Sequence, residues 1–148
     1  MELPYQVDFS GKVAVVTGAG GVLCSVMSKA LAAAGAKVAL LDINEEAVKR
    51  VADEIESDGG KALPVKCDIL LAEDVKKAHA CVLEVFGKTN FLLNGAGGNN
   101  PKATTSSEVF SREQLGKEQT FYDLSEEGFR FVFDINFTGE FIVTKEFT

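Results

Sequence analysis

The sequence has no tryptophan, two tyrosines, three prolines and a single histidine in 148 residues. Its three cysteines, Cys24, Cys67 and Cys81, form no CxxC pair. One histidine and scattered thiols do not make a zinc cluster, which draws its ligands at paired spacings, so no metal site is expected. An odd number of well-separated cysteines argues against a disulfide scaffold and fits the reduced thiols of a cytoplasmic protein. Positive charge is scarce, with 15 Lys+Arg against 22 Asp+Glu for a formal charge of −7. Nucleic-acid faces need clustered cations to displace counterions, so no nucleic-acid partner is expected. No apolar run approaches the roughly 18 residues of a membrane span, so no membrane partner is expected either. The start, MELPYQVDFSGK, has no basic end leading into an apolar stretch, and no signal peptide is read there.

What remains is a chain of ordinary globular composition and single-domain length, so residues 1–148 are read as one domain. Short β-branched runs alternate with helical periods. Lys12–Thr17 and Lys37–Leu41 read as strands buried on both faces, the habit of a parallel sheet. Between them Leu23, Val26, Met27, Ala30, Leu31 and Ala34 recur at three- and four-residue spacing, predicting one apolar helix face closed by Gly35. Asn44 reads as the cap of a second helix, with Glu45 and Glu46 at its positive end and Ala47, Val48, Val51, Ala52 and Ile55 inward. Asp58-Gly59-Gly60 stops it. Ala62–Cys67 is a third strand, which Pro64 assigns to a sheet edge. Asp74–Phe86 is a third helix, with Val75, Ala78, Val82, Val85 and Phe86 inward and Gly87 as its stop. Phe91–Leu93 is a fourth strand. Residues 97–124 show no period beyond a short helix near Val109–Leu115, and an aperiodic stretch that long is usually functional or mobile. Ser125 caps a last helix containing Phe129, Val132, Phe133 and Phe137. The order β-α-β-α-β-α-β-α implies an α/β fold: a Rossmann-like doubly wound parallel sheet in three α/β/α layers, with right-handed crossovers.

Such folds bind nucleotides at the carboxyl ends of their strands, and two features fall there. The first is the turn Thr17-Gly18-Ala19-Gly20-Gly21-Val22-Leu23-Cys24. Bare glycines let backbone N–H groups approach a pyrophosphate while the helix N-terminus favours its charge. The same turn also serves as a tight bend in other α/β proteins, and GxGxxG is broken by Leu23. The second is Asp42, 24 residues after Gly18, close to the spacing of about 20 at which an acid grips the adenosine ribose diol. A carboxylate there repels a 2′-phosphate, and no Arg precedes Arg50, which favours NAD over NADP. The alternative reading of Asp42 is a helix cap or a solvated turn residue.

With those two features the chain resembles the short-chain dehydrogenase/reductase family, and three further segments carry the resemblance. Cys67-Asp68-Ile69 follows the third strand, where the family places an Asp that reads adenine. Asn94-Gly95-Ala96-Gly97 ends the fourth strand like the family's Asn-Asn-Ala-Gly element, with the first Asn replaced by Leu93. Asp134-Ile135-Asn136-Phe137-Thr138-Gly139 resembles the helix bearing the family's catalytic Asn. The resemblance implies a hydride transfer between nicotinamide and a secondary alcohol or ketone. It implies pyrophosphate contacts from Gly18, Gly20, Gly21, Val22 and Leu23, and ribose contact from Asp42. Asp68 and Ile69 would bracket adenine, Asn94, Ala96 and Gly97 would line the way to the nicotinamide ribose, and Asn136 would serve catalysis through a water relay. The stretch from Thr17 to Asn44, with NGAGGNNPKATT, resembles a subgroup assigned to sugar-acid oxidoreductases, D-mannonate oxidoreductase (fructuronate reductase) in particular. A polar, anionic small-molecule substrate would then lie under residues 97–124 with Lys102 or Arg112 near its carboxylate. A homo-oligomer, tetramer or dimer, packed through the last helix is also implied.

The sequence departs from the family at two places. Val22 and Cys24 stand at the second and third glycines of TGxxxGxG. Val22 does not adopt positive φ, so Gly20 or Gly21 is expected to supply any such conformation; Cys24 is read as a packing residue. The family's Ser and Tyr-x-x-x-Lys are missing: Tyr5 and Tyr122 are followed four residues on by Phe9 and Glu126. These residues are therefore expected to be the amino-terminal part of a longer enzyme, inactive alone. The alternative is a dinucleotide-binding sensor or scaffold without turnover; a Rossmann-like methyltransferase is disfavoured by the Asn94–Gly97 and Asn136 elements. His79 is read as a surface or half-buried helix residue.

Overall fold

The computed structural model describes residues 7–148; Tyr5 and the first residues of the stretch read for a signal peptide lie outside them. Four parallel strands, β1 (Val13–Thr17), β2 (Lys37–Asp42), β3 (Lys61–Lys66) and β4 (Phe91–Leu93), form one sheet in the order β3-β2-β1-β4. The chain steps outward from β1 to β2 and β3, then crosses back to place β4 on the other side of β1. This reversal opens a crevice at the carboxyl ends of β1 and β4. The register runs from Val13 opposite Lys37 to Thr17 opposite Leu41, and from Ala14 opposite Phe91 to Val16 opposite Leu93.

Side chains alternate across a strand, and here both faces are covered. Ala14, Val16, Val38 and Leu40 pack under α1 (Val22–Ala33) and α2 (Glu45–Ser57), against Val48, Val51, Ala52 and Ile55. Val13, Val15, Ala39 and Leu41 pack on the opposite face, against Val75, Ala78 and Val82 of α3 (Ala72–Val85) and Val143 of α5 (Gly139–Phe147). Each fully buried Val or Leu contributes roughly 1.5–3 kcal/mol by leaving water. Pro64 pairs opposite Leu40 in β3, at the sheet edge among the described strands, where its missing N–H leaves no ladder bond unmade on the open side. The Asn44 side chain accepts from Ala47 N at 3.1 Å, capping α2, and Lys49 pairs with Glu45 at 2.7 Å across one turn.

Two helix faces differ from expectation. In α1 the buried side chains are Cys24, Ser28 and Ala32, whereas Leu23 is 73% exposed and Val26 and Met27 are also exposed. Small residues four apart let α1 lie close on the sheet, and the bulkier apolar residues occupy the outer and mouth-facing sides. In α3 Val85 is exposed, and Phe86 alone of that pair packs on the core.

Residues 97–124 contain three single turns of 3-10 helix, Pro101–Ala103, Arg112–Gln114 and Phe121–Asp123. The second falls within the expected 109–115 helix. Polar side chains stand in for the missing backbone ladder. Asn100 accepts from Lys102 N at 2.9 Å, the Gln119 amide donates to the carbonyls of Pro101 and Thr104, and Thr120 donates to Asp123 at 2.7 Å. Ser125 N donates to Lys102 O at 3.0 Å, so the excursion closes on its own stem. Ser125 then caps α4 (Glu126–Phe133), its side chain accepting from Gly128 N at 3.0 Å. A π-turn, Asp134–Thr138, joins α4 to α5 without breaking the helix.

Candidate cofactor and active site

The turn after β1 is built against the end of β4. The buried Thr17 hydroxyl accepts from Gly95 N at 3.0 Å and from Ala96 N at 3.1 Å. Gly18 has φ +64°, and a Cβ there would fall 2.7 Å from Gly95 O and 2.8 Å from the Ala96 backbone. The left-handed residue of the turn is thus Gly18, not Gly20 or Gly21 as expected. The close approach of β4, not the missing glycine at Val22, sets where it falls. Gly21 precedes α1 with extended backbone and no side-chain cap, and α1 alone among the described α-helices has no acid in its first turn. Its first N–H groups and dipole are left for an anion. Val22 and Leu23 stand exposed at this mouth.

Asp42 ends β2 beside that turn. Its Oδ2 accepts from Gly20 N at 3.0 Å and its Oδ1 from Asn44 N at 2.9 Å. A Cβ on Gly20 would meet the Ala47 Cβ at 2.6 Å and Asp42 Oδ2 at 3.1 Å, so only glycine lets the turn reach the carboxylate. Two backbone donors fix the carboxylate's orientation, while each oxygen keeps further acceptor capacity. Asp68 is held similarly, Oδ1 accepting from Leu70 N at 3.0 Å.

A cleft of about 160 Å³ brings together Gly18, Asp42, Asp68, Ile69, Ala96 and Gly97. Leu41, Ile43, Cys67 and Ile135 also line it and were not singled out from sequence. Each of these four is next to a flagged residue or one removed, so the adjacency was the available signal. Burial pushes the Cys67 thiol up to about 11, with the charges of Asp74 and Asp68 adding to it. Burial, then the Asp42 carboxylate, raises the Cys24 thiol. Both sulfurs are therefore neutral packing groups rather than nucleophiles.

The two asparagines have defined partners. Asn94 donates its amide to Thr144 Oγ1 of α5 at 2.8 Å and does not line the cleft. Asn136 lies in the π-turn. Its Oδ1 accepts from Gly98 N at 3.1 Å, and its Nδ2 donates to Gly98 O and to Val132 O, each at 2.7 Å. A Cβ on Gly97 would run into Asn136 Oδ1. Asn136 therefore grips the loop leaving the cleft from the helix side. Lys102 pairs with Glu127 at 3.1 Å, at the start of α4. His79, half-buried, bonds Glu146 Oε1 through Nδ1 at 3.1 Å and lies over Phe147 with ring centroids 4.8 Å apart, tying α3 to α5.

A parallel sheet ordered β3-β2-β1-β4, helices on both faces and a crevice beside β1 define a Rossmann-like α/β protein. The chain belongs to the short-chain dehydrogenase family: the family model described as short chain dehydrogenase matches residues 12–148. It is 42% identical over 147 residues to an uncharacterized oxidoreductase of Haemophilus influenzae, covering 99% of this chain and 52% of that protein. A solved structure from Haemophilus influenzae, provisionally assigned as a D-mannonate oxidoreductase and holding bound NAD, superposes with TM-score 0.92 at 43% identity, over 95% of this chain and 50% of the other. An NAD+-bound xylitol dehydrogenase superposes with TM-score 0.77 at 34% identity, over 94% of this chain and 47% of the other. The chain spans about half the length of the curated relatives it matches. Among the described residues no helix is long and apolar enough to cross a membrane, and no cluster of His, Cys, Asp and Glu could hold a metal.

Proposed function

We propose that the protein is an NAD-dependent short-chain dehydrogenase/reductase, with residues 1–148 forming the nucleotide-binding portion of a longer single-domain enzyme. The observation that carries the cofactor assignment is the Asp42 carboxylate, oriented by Gly20 N and Asn44 N at the cleft rim. The remaining acceptor sites of its oxygens suit the two hydroxyls of an adenosine ribose, and its charge disfavours a 2′-phosphate. The bare backbone at Gly18 and Gly20 and the uncapped start of α1 suit a pyrophosphate. Asp68 and Ile69 would flank adenine, and Ala96 and Gly97 would border the nicotinamide ribose.

Held by these residues, the nicotinamide would supply a hydride acceptor for the carbinol carbon of a secondary alcohol, with the hydroxyl proton released to solvent, and in reduced form a hydride donor for the ketone. Asn136 fixes the loop that leaves the cleft through Gly98. A sugar acid such as D-mannonate or D-fructuronate is the substrate we propose, supported by the likeness to the Haemophilus influenzae structure. Within residues 97–124, Arg112 is the cation proposed to meet its carboxylate, since Lys102 is paired with Glu127. A homo-oligomer is proposed to form through the outer face of α4 and α5, and the cytoplasm is the proposed location.

The test compares NADH and NADPH titrations of the protein and of Asp42→Asn. The protein is expected to favour NADH. Loss of the charged acceptor should weaken NADH by about ten- to a hundredfold, and the melting temperature should also fall, because an amide can accept from only one of Gly20 N and Asn44 N. Equal binding by both forms would remove the assignment. A screen of hexonates and ketohexonates with NAD and NADH then tests the substrate.

A further inference from the structure

Gly95 is not among the glycines with positive φ, so its backbone conformation does not demand glycine. Its surroundings do. A Cβ at residue 95 would overlap Cys24 Sγ and fall 3.0 Å from Thr17 O, while the Cys24 Cβ lies at an ordinary 3.8 Å. The overlapping atom is thus the sulfur alone. Cys24 is buried in the first turn of α1 and packs in the core beneath the sheet's α1 face. Gly95 itself donates to Thr17 Oγ1, and Gly18 is bare because the Gly95 carbonyl lies over it. Residue 95, though exposed to solvent, therefore has Thr17, Gly18 and the thiol against it.

We propose that Cys24 is a positioning residue for the cofactor cleft: its Sγ, packed against the bare Cα of Gly95, fixes the 95–96 peptide on Thr17 and so places Ala96 and Gly97 on the cleft wall. The two positions form one size-complementary pair, a side chain on α1 matched by none on the β4 loop. The thiol acts by volume, consistent with burial keeping it protonated. The inference rests on the proposed nucleotide binding for its functional consequence, but the packing relation can be read separately.

The test is a double-mutant cycle of Cys24→Ala, Gly95→Ala and both together, with NADH titration and thermal unfolding measured on each. Gly95→Ala is expected to weaken NADH about tenfold or more by overpacking. Cys24→Ala should weaken it by about threefold, through the lost contact. The double variant should recover most of the binding of Cys24→Ala, because once the sulfur is gone the added methyl meets the remaining β-carbon of α1 at an ordinary distance and only the Thr17 carbonyl oxygen closely, at 3.0 Å. A double variant as weak as the product of the two singles, or a Gly95→Ala protein that binds like wild type, overturns the proposal. Coupled melting temperatures with uncoupled binding overturn the positioning role while leaving the dehydrogenase assignment standing. A wild-type protein that does not bind NADH overturns the assignment and the positioning role together.

Discussion

Residues 13–96 and residues 97–147 manage apolar side chains differently. In the first region every residue of β1 is buried, and α2 and α3 each turn a continuous apolar face inward. In the second, α5 sends Val143 and Phe147 into the core, while Phe129, Phe133, Phe137 and Phe141 remain 66%, 52%, 68% and 65% exposed. These four lie at four-residue spacing along α4, the π-turn and α5, with Phe133 and Phe137 stacked at 5.0 Å. With Phe121, Tyr122 and Leu124 some of them border an open groove of about 930 Å³. The first region buries its β1, α2 and α3 faces in the core, one side of which Val143 and Phe147 of the second complete. The second carries an outer face that its own residues leave uncovered, the kind of patch that marks an interaction surface.

The contrast can be broken most forcefully at Gly18. Gly18→Ala would drive a methyl into the Gly95 and Ala96 backbone at a φ that L-residues avoid. A loss of about 3 kcal/mol in unfolding free energy is expected, read by urea titration. A variant within about 0.5 kcal/mol of wild type would show that the β1–β4 junction is not tightly packed. Asn136→Ala comes next. It removes both bonds to Gly98 and the one to Val132 O, and should lower stability by about 1–2 kcal/mol while raising amide exchange in residues 97–100. Unchanged exchange there would mean the loop holds itself. The smallest effect on stability is expected from Phe133→Ser with Phe137→Ser, within about 0.5 kcal/mol per site for exposed positions. Sedimentation should show their effect instead, as weakened self-association. Strong destabilisation with unaltered association would mean that this face is core and would erase the contrast.

Sequence made the first region readable wherever one period dominates. In α2, Ala47, Val48, Val51, Ala52 and Ile55 form a single stripe opposed by charge, and all five are buried. Pro64 marked the outer strand because its missing donor leaves few places in a sheet. In α1 two stripes compete, and the bulkier one misled: close packing on the sheet selects small Cys24, Ser28 and Ala32, while Leu23, Val26 and Met27 face outward. The identity of the left-handed glycine was hidden for a similar reason. It depends on the carbonyl of Gly95, far away in sequence. Residues 97–124 gave no period because Asn100, Gln119 and Thr120 satisfy the backbone there with side chains. The orientation of Asn94 toward Thr144, rather than into the cleft, follows from where α5 lies and could not be read locally.

The π-turn makes the carboxyl-terminal helix a ratchet with one extra tooth. Winding the same five residues, Asp134–Thr138, as plain α-helix would rotate everything beyond them by roughly 100°. Thr144 would swing away from Asn94 and Glu146 from His79, uncoupling the helix from β4 and from α3 in one move. The wider winding is what lets a single uninterrupted helix hold the cleft loop at one end and dock on the sheet at the other.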